Sequence, residues 1–169
     1  DLLGSRGLGD VYKRQGANGL GGEWSLNQMP LTNTPNLKSD KILDFSNRLE
    51  GYLSGKSIEK RFNEQFNENI SAKEIFSRYR KKDSNSTLFI NDYKDILARC
   101  LVLIVTTLDP DAIVFGGGIS NEIDFLDQIK KKTSSFINEP NLKTVFLKPK
   151  YGDASGVRGA AILSRQSSI

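Results

Sequence analysis

The chain has 169 residues, of which 37% are hydrophobic, and carries 24 lysines and arginines against 20 aspartates and glutamates. This length suffices for one modest core, and the small, dispersed excess of positive charge predicts no nucleic-acid partner. No apolar run reaches the roughly 20 residues of a membrane-spanning helix, and the single cysteine, Cys100, has no disulfide partner. A cytoplasmic protein without membrane contact is predicted.

The first fifteen residues are interpreted as foreign to the natural protein. Ser5 to Gln15 reads SRGLGDVYKRQ, which matches residue for residue the translation of a transposase adapter used in preparing sequencing libraries. Composition alone would also allow a natural basic arm. We expect residues 1–15 to make no consistent contact with the rest, and we treat residues 16–169 as a partial domain whose natural sequence starts near Gly16.

The next segment mixes a glycine loop, an irregular connection and a helix. Gly16–Gly22 reads GANGLGG, which is typical of a loop with positive φ angles or a close approach. Asn27–Asn36 is rich in Asn, Pro and Thr and predicts an irregular connection. From Asp40 onward apolar residues recur at helical spacing, and Gly55 is the predicted stop.

Three further helices are predicted before the first strand. Ser57 and Ser71 are each expected to begin a surface helix, and Glu74 completes a capping-box pattern three residues after Ser71. Asp92–Leu108 is apolar on nearly every face in its second half, which predicts a central helix covered on most sides. The sequence Asp-Pro-Asp at 109–111 is expected to end it.

The last third of the chain predicts alternating strands and helices. Ala112–Phe115 and Thr144–Leu147 are short apolar runs typical of buried strands. Glu122–Ile137 and Ser155–Leu163 are predicted helices. Because strands and helices alternate with short connections, the sequence indicates an α/β fold with a partly parallel sheet.

Two groups of residues are candidates for ligand contact. Gly116–Gly118 follows a predicted strand directly, at the end of the sheet where open α/β folds bind ligands, although tight packing alone also explains such glycines. Gly152–Ala161 has small residues that suit close helix packing or ligand contact equally. The carboxylates of Glu23 and Glu50 could accept charge-assisted hydrogen bonds from sugar hydroxyls, although an isolated acid is usually just exposed.

Four strings taken together resemble the ROK family of repressors and sugar kinases, and within it the bacterial fructokinase-like members. They are GANGLGGEWSLNQMP, NRLEGYLSG, LDPDAIVFGGGIS and GDASGVRGAA, in the family's order and spacing across Gly16 to Leu163. The resemblance implies an α/β, ribonuclease-H-like (actin-like ATPase) fold. This chain would be an incomplete version of it, consisting mainly of the C-terminal lobe.

The resemblance also implies a site. Glu23 and Glu50 correspond to the glutamates that hold sugar hydroxyls, and Gly116, Gly117 and Gly118 border the adenosine of ATP. Phosphoryl transfer depends on positioning and charge neutralisation, with Mg²⁺ on the phosphates and an aspartate near the acceptor hydroxyl. The matching aspartate would lie upstream of this chain, so no catalytic residue is assigned here and the isolated chain is expected to be inactive.

The sequence departs from the family pattern at its zinc site. Leu26 stands where the family has a histidine, and Lys41, Leu43 and Arg48 stand near the places of three cysteines. The chain has no histidine at all. Because structural zinc takes four N or S ligands, no zinc is predicted, and Cys100 is expected to be a buried, metal-free thiol.

The implied function is therefore that of a fragment of an ATP-dependent hexose kinase, with fructose as the preferred acceptor. The alternative is a fragment of a sugar-responsive repressor of the same family, which would carry a winged helix-turn-helix upstream. A degenerate sugar-binding module without catalysis is a third reading. A homodimer is left open.

Overall fold

A computed structural model describes Trp24, Asn27, residues 48–154, Arg158 and Ile162. The described helices are α1 (Glu50–Leu53), α2 (Gly55–Phe66), α3 (Ala72–Arg80), α4 (Ser84–Leu108) and α5 (Leu126–Phe136), and the strands are β1 (Ala112–Val114) and β2 (Val145–Leu147). Two 3₁₀ turns cover Gly118–Asn121 and Gly152–Ala154. Residues 1–15, the loop at 16–22 and most of the predicted last helix lie outside the described residues.

Serine caps determine where α2 and α3 begin. The Ser71 hydroxyl accepts a hydrogen bond from the Glu74 amide at 3.2 Å, which confirms the predicted start of α3. At α2 the cap is Ser54, whose hydroxyl accepts from the amide of Ser57 at 3.3 Å. The predicted start at Ser57 is therefore three residues late. The predicted stop at Gly55 is wrong as well, because Gly55 is the first residue of α2.

The central helix α4 is longer than its apolar pattern predicted. It begins at Ser84 rather than Asp92, with the Asp83 carboxylate accepting from the Ser86 amide at 2.8 Å. It ends at Leu108 as predicted, where Asp109 takes a left-handed φ of 41°. Its last turns are less covered than expected, since Leu108 is 63% exposed and Leu103 is 42% exposed.

The core lies where α4 packs against α2, α3 and α5, and it is rich in aromatic rings. Phe62 of α2 meets Phe89 of α4 edge to face, with ring centroids 5.3 Å apart. Phe76 of α3 meets Tyr93 of α4 in the same way at 6.3 Å. Such pairs stabilise by about 0.5–1.5 kcal/mol beyond the burial of their area. The helical layer is thus held by interlocking aromatic contacts across α4.

The strands β1 and β2 are parallel, with Ala112 opposite Val145 and Val114 opposite Leu147. Helix α5 connects them, which is the crossover that parallel neighbours require. The opposing pair Ile113 and Phe146 packs into the core, whereas the outward side chains remain exposed. The predicted parallel pairing is confirmed, although each strand is one residue shorter than expected. Within the part of the chain that the structure describes, no helix is long and apolar enough to cross a membrane.

Candidate functional site

The glycine turn follows directly from the end of β1. The Phe115 amide still donates to the Leu147 carbonyl at 2.9 Å, and the three glycines begin after it. Gly117 has φ 84° and ψ 172°, a conformation that is essentially restricted to glycine. Its carbonyl accepts from the Ser120 amide at 3.0 Å and from the Ser120 hydroxyl at 2.6 Å. These hydrogen bonds fix the backbone of the turn.

The space beside this turn is not filled by any of the residues that the structure describes. Gly116, Gly117 and Gly118 are all exposed, and a Cβ built on any of them would meet no heavy atom of the described residues within 4 Å. Glycines after a strand can also be required by tight packing. None of the described residues packs closely enough against these three glycines to require it. A bare backbone with free space at the carboxyl end of a parallel strand allows a flat group to approach closely.

Glu50 is the first residue of α1, and its backbone is held from the start of α2. Its carbonyl accepts from the Ser54 amide at 3.2 Å and from the Ser57 hydroxyl at 3.0 Å. The residue before it, Leu49, is fully buried, whereas Glu50 itself is exposed. The carboxylate therefore stands at the surface on an anchored backbone.

Trp24 and Asn27 are connected by backbone hydrogen bonds to the residue before Glu50. Glu23 lies outside the described residues, but Trp24 directly after it is described. The Asn27 amide donates to the Trp24 carbonyl at 3.0 Å, and the Leu49 amide donates to the Asn27 carbonyl at 3.0 Å. The residue after Glu23 and the residue before Glu50 are thus connected through Asn27 by two backbone hydrogen bonds.

A small apolar cluster lies beneath this junction. Leu49, Ile96 and Cys100 are buried together, and Trp24 and Tyr52 pack against them. Burial raises the pKa of the Cys100 thiol to about 12, so the thiol stays neutral. The prediction that Cys100 is buried is confirmed.

The start of α2 connects the two parts of the site. A Cβ on Gly55 would lie 3.2 Å from Cδ1 of Ile119, the residue that follows the three glycines. The segment that follows Glu50 therefore lies against the residue that follows the glycine turn.

The sequence profile of the ROK family matches residues 13–167, which is most of the chain. The chain belongs to the ROK family. The resemblance of the four motifs to the ROK family is thereby confirmed, whereas the family match does not reach the fructokinase-like members within it.

Two curated relatives in this family are bacterial N-acetyl-D-glucosamine kinases. The enzyme of Erwinia tasmaniensis is 36% identical over 115 residues, which is 68% of this chain and 38% of the relative. The enzyme of Photobacterium profundum is 30% identical over 160 residues, which is 92% of this chain and 53% of the relative. The matched part of this chain therefore spans between 38% and 53% of the length of these ROK proteins.

The fold agrees with a solved ROK structure. A ROK family glucokinase from Streptomyces griseus, in complex with glucose and AMPPNP, gives a TM-score of 0.61 at 24% sequence identity, covering 71% of this chain and 45% of the glucokinase. At this identity the likeness shows the fold alone. It confirms the α/β, ribonuclease-H-like (actin-like ATPase) class for this partial chain.

The zinc position of the ROK pattern is only partly described. Arg48 is half-buried, and its carbonyl accepts a hydrogen bond from the Gly51 amide at 2.9 Å. Leu26, Lys41 and Leu43 lie outside the described residues. The described ranges contain no group of three or more His, Cys, Asp or Glu side chains that could hold a metal ion. Mg²⁺ on nucleotide phosphates needs only one or two protein carboxylates, so this finding does not bear on the Mg²⁺ that the resemblance implies. The absence of zinc stays a prediction.

Sequence reasoning missed Arg61, which braces the turn that carries Glu50. Its guanidinium donates to the Tyr52 carbonyl at 3.4 Å and lies over the Tyr52 ring at 4.8 Å and the Phe89 ring at 5.3 Å. Burial lowers the pKa of Arg61, and the nearby Tyr52 and Asp92 oppose that shift. The signal was present, because Arg61 follows Ile58 by three residues and so lies near the buried face of α2.

Proposed function

We propose that this chain is the carboxyl-terminal part of an ATP-dependent kinase that phosphorylates a hydroxyl group of a hexose. The observation that carries the proposal is the fixed, exposed glycine turn at Gly116–Gly118, with open space beside it, in a chain of the ROK family. The AMPPNP bound in the glucokinase from Streptomyces griseus supports the choice of nucleotide.

Each candidate residue has a role in this proposal. The backbone of Gly116–Gly118 lets the adenosine approach, and the residues present fit that group because a side chain at any of the three would fill the space. ATP, when bound, supplies the phosphoryl group. Glu50 and Glu23 accept hydrogen bonds from the sugar hydroxyls, which orients the acceptor. The general base and the phosphate contacts are expected on the part of the kinase that this chain does not span.

The identity of the sugar is a separate question. Fructose was the acceptor that the motif resemblance favoured. The two curated relatives are named for N-acetyl-D-glucosamine, and the Streptomyces enzyme was solved with glucose. These names put N-acetyl-D-glucosamine first in the acceptor panel, followed by glucose and then fructose. No observation favours the repressor, so a second function is not proposed.

Nucleotide binding by the 169-residue chain tests the glycine turn. Gly116→Ala and Gly118→Ala each place a methyl group in the open space without meeting a neighbour. We expect either change to weaken the binding of AMPPNP by about tenfold in calorimetric titration, equivalent to about 1.4 kcal/mol, with the unfolding midpoint almost unchanged. Equal affinities in the parent and both variants would contradict the role of the turn.

Sugar phosphorylation is tested in a hybrid enzyme. Residues 16–169 would be joined to the preceding half of the Photobacterium profundum kinase, and ADP release would be followed in a coupled assay with each sugar. We expect Mg²⁺-dependent turnover, and we expect Glu50→Gln to raise the KM for sugar with the KM for ATP unchanged. Glu64→Gln, an exposed change on α2, is the matched control. The 169-residue chain alone should be inactive, and turnover above background would show that its catalytic residues have been misplaced.

A further inference from the structure

The start of α2 lies against the turn after β1, and Ile119 leaves little space for a side chain at Gly55. A Cβ on Gly55 would lie 3.2 Å from Cδ1 and 3.3 Å from Cγ1 of Ile119. Optimal separations between non-bonded carbon atoms are about 3.5–4.0 Å, so any larger residue at this position must displace Ile119 or α2. Gly55 is therefore required by space and not by its backbone angles, since the helix begins there in an ordinary conformation.

On one side of this contact, Ile119 is part of the same hydrogen-bonded turn as the glycines. Ile119 follows Gly118 directly and packs against the main core. The next residue, Ser120, is buried and holds the Gly117 carbonyl through both its amide and its hydroxyl. A shift of the Ile119 backbone would therefore be expected to reach the glycines, since Ile119 lies between Gly118 and the Ser120 that holds the Gly117 carbonyl.

On the other side Glu50 is tied to Gly55. Ser54 and Ser57 flank Gly55, and both donate to the carbonyl of Glu50. Their hydroxyl groups also hydrogen-bond each other at 2.8 Å. A displacement of Gly55 therefore carries the Glu50 backbone with it.

We propose that the contact between Gly55 and Ile119 sets the separation between Glu50 and the glycine turn at Gly116–Gly118, so that Gly55 and Ile119 are positioning residues for the transfer. The consequence for sugar and nucleotide rests on the proposed function. The separation matters because the two reactants must be held at a defined distance. A misplacement of about 1 Å can lower the rate of the chemical step by about 10²-fold. The contact would thus set the position of both binding elements through the protein itself.

The experiment uses the 169-residue chain and needs no sugar. Amide resonances of Glu50 and of residues 116–118 are compared by NMR in the parent, Gly55→Val, Ile119→Ala and the double variant, and AMPPNP affinity is measured on the same samples. We expect Gly55→Val to shift the glycine amides and to weaken AMPPNP binding by about tenfold. We expect Ile119→Ala to shift the Glu50 amide and, in the double variant, to reverse most of the effect of Gly55→Val.

A milder variant separates positioning from stability. Gly55→Ala adds a single methyl group, so its unfolding midpoint should fall less than that of Gly55→Val, yet the glycine amides should still shift. If Gly55→Val does not fold, Gly55→Ala with and without Ile119→Val provides the same comparison. Lys56→Ala, an exposed change in the same turn, is the control and should leave residues 116–118 unchanged.

The results that would overturn the role of the contact differ from those that would overturn the proposed function. Unshifted glycine amides in both Gly55 variants, or a shift that removal of the Ile119 side chain does not reverse, would overturn the proposal. Failure of the parent chain to bind AMPPNP would instead count against the proposed function, while the amide shifts would still decide the contact.

Discussion

The helical layer and the sheet edge of this chain are built in opposite ways. In the helical layer, aromatic side chains such as Phe62 and Phe76 are fully buried and interlock across α4. At the sheet edge, Val114 of β1 is 58% exposed, and the glycines that follow have open space beside them. The difference indicates that the helices supply the stability of this chain, whereas the strand ends offer backbone for binding. Substitutions should therefore separate the two regions.

The largest expected effect is in the helical core. Phe62→Ala removes a ring that contacts both Phe66 and Phe89, and it should lower the free energy of unfolding by about 3–5 kcal/mol. Val114→Ala at the sheet edge should change it by less than about 0.5 kcal/mol. Urea denaturation followed by circular dichroism measures both. Comparable losses in the two variants would mean that the sheet edge is also part of the cooperative core.

The next effect concerns a buried charge in the helical layer. Lys94 is 2% exposed, and its ammonium donates to the Tyr79 hydroxyl at 2.5 Å and to Gln128 Oε1 at 2.8 Å, while it lies 4.5 Å from the centroids of the Tyr79 and Phe125 rings. Lys94→Met keeps the apolar stem but leaves both oxygens without this donor, which should cost roughly 2–4 kcal/mol. The same denaturation experiment applies.

Exposed Lys131→Met is the matched control for Lys94→Met, and its midpoint should stay close to that of the parent. If the two lysine variants lose equal stability, the ammonium contacts of Lys94 make no net contribution to the free energy of unfolding. In that case the helical layer would depend on apolar packing alone.

A smaller loss of stability is expected at the sheet edge, where substitutions of two neighbouring glycines should differ in their effect. Gly117→Ala forces a side chain into a backbone conformation that only glycine adopts readily, at a cost of about 1–3 kcal/mol. Gly116→Ala has neither a positive φ nor a neighbour to meet, so its midpoint should be almost unchanged. Thermal unfolding of the two variants side by side checks this. If both variants lose the same amount of stability, the backbone conformation of Gly117 does not require glycine.

The sequence was a good guide where one local signal acts alone. The cap at Ser71 and the end of α4 before Pro110 each follow from chemistry within a few residues, and each of the two short strands was recognised from its own apolar run. The glycine turn, too, was located as a candidate from its position after a strand.

The sequence was a poor guide where tertiary contacts decide. The first turns of α4, with the sequence SNSTLFIN, are rich in poor helix formers, yet Phe89 and Ile90 are buried there and hold the helix. The burial of Lys94 depends on oxygens from α3 and α5 that no spacing rule brings together. The contact between Gly55 and Ile119 likewise joins residues that are remote in sequence, which is why Gly55 was interpreted as a helix stop.

The smallest effect is a pH dependence at the start of α4. The Ser86 amide donates to the Asp83 carboxylate, which holds the pKa of Asp83 below its usual range. Because the folded state lowers this pKa, the stabilisation is complete above the ordinary value of about 3.9 and is lost as the pH falls through the lowered value. Asp83→Asn keeps an acceptor oxygen but removes the titration. Urea midpoints of the parent and this variant, measured from neutral pH downward, should differ most at neutral pH and converge in acid. All other carboxylates are shared by the two proteins, so the change in that difference isolates Asp83, and a difference that stays constant with pH would show that its charge does not contribute to the cap.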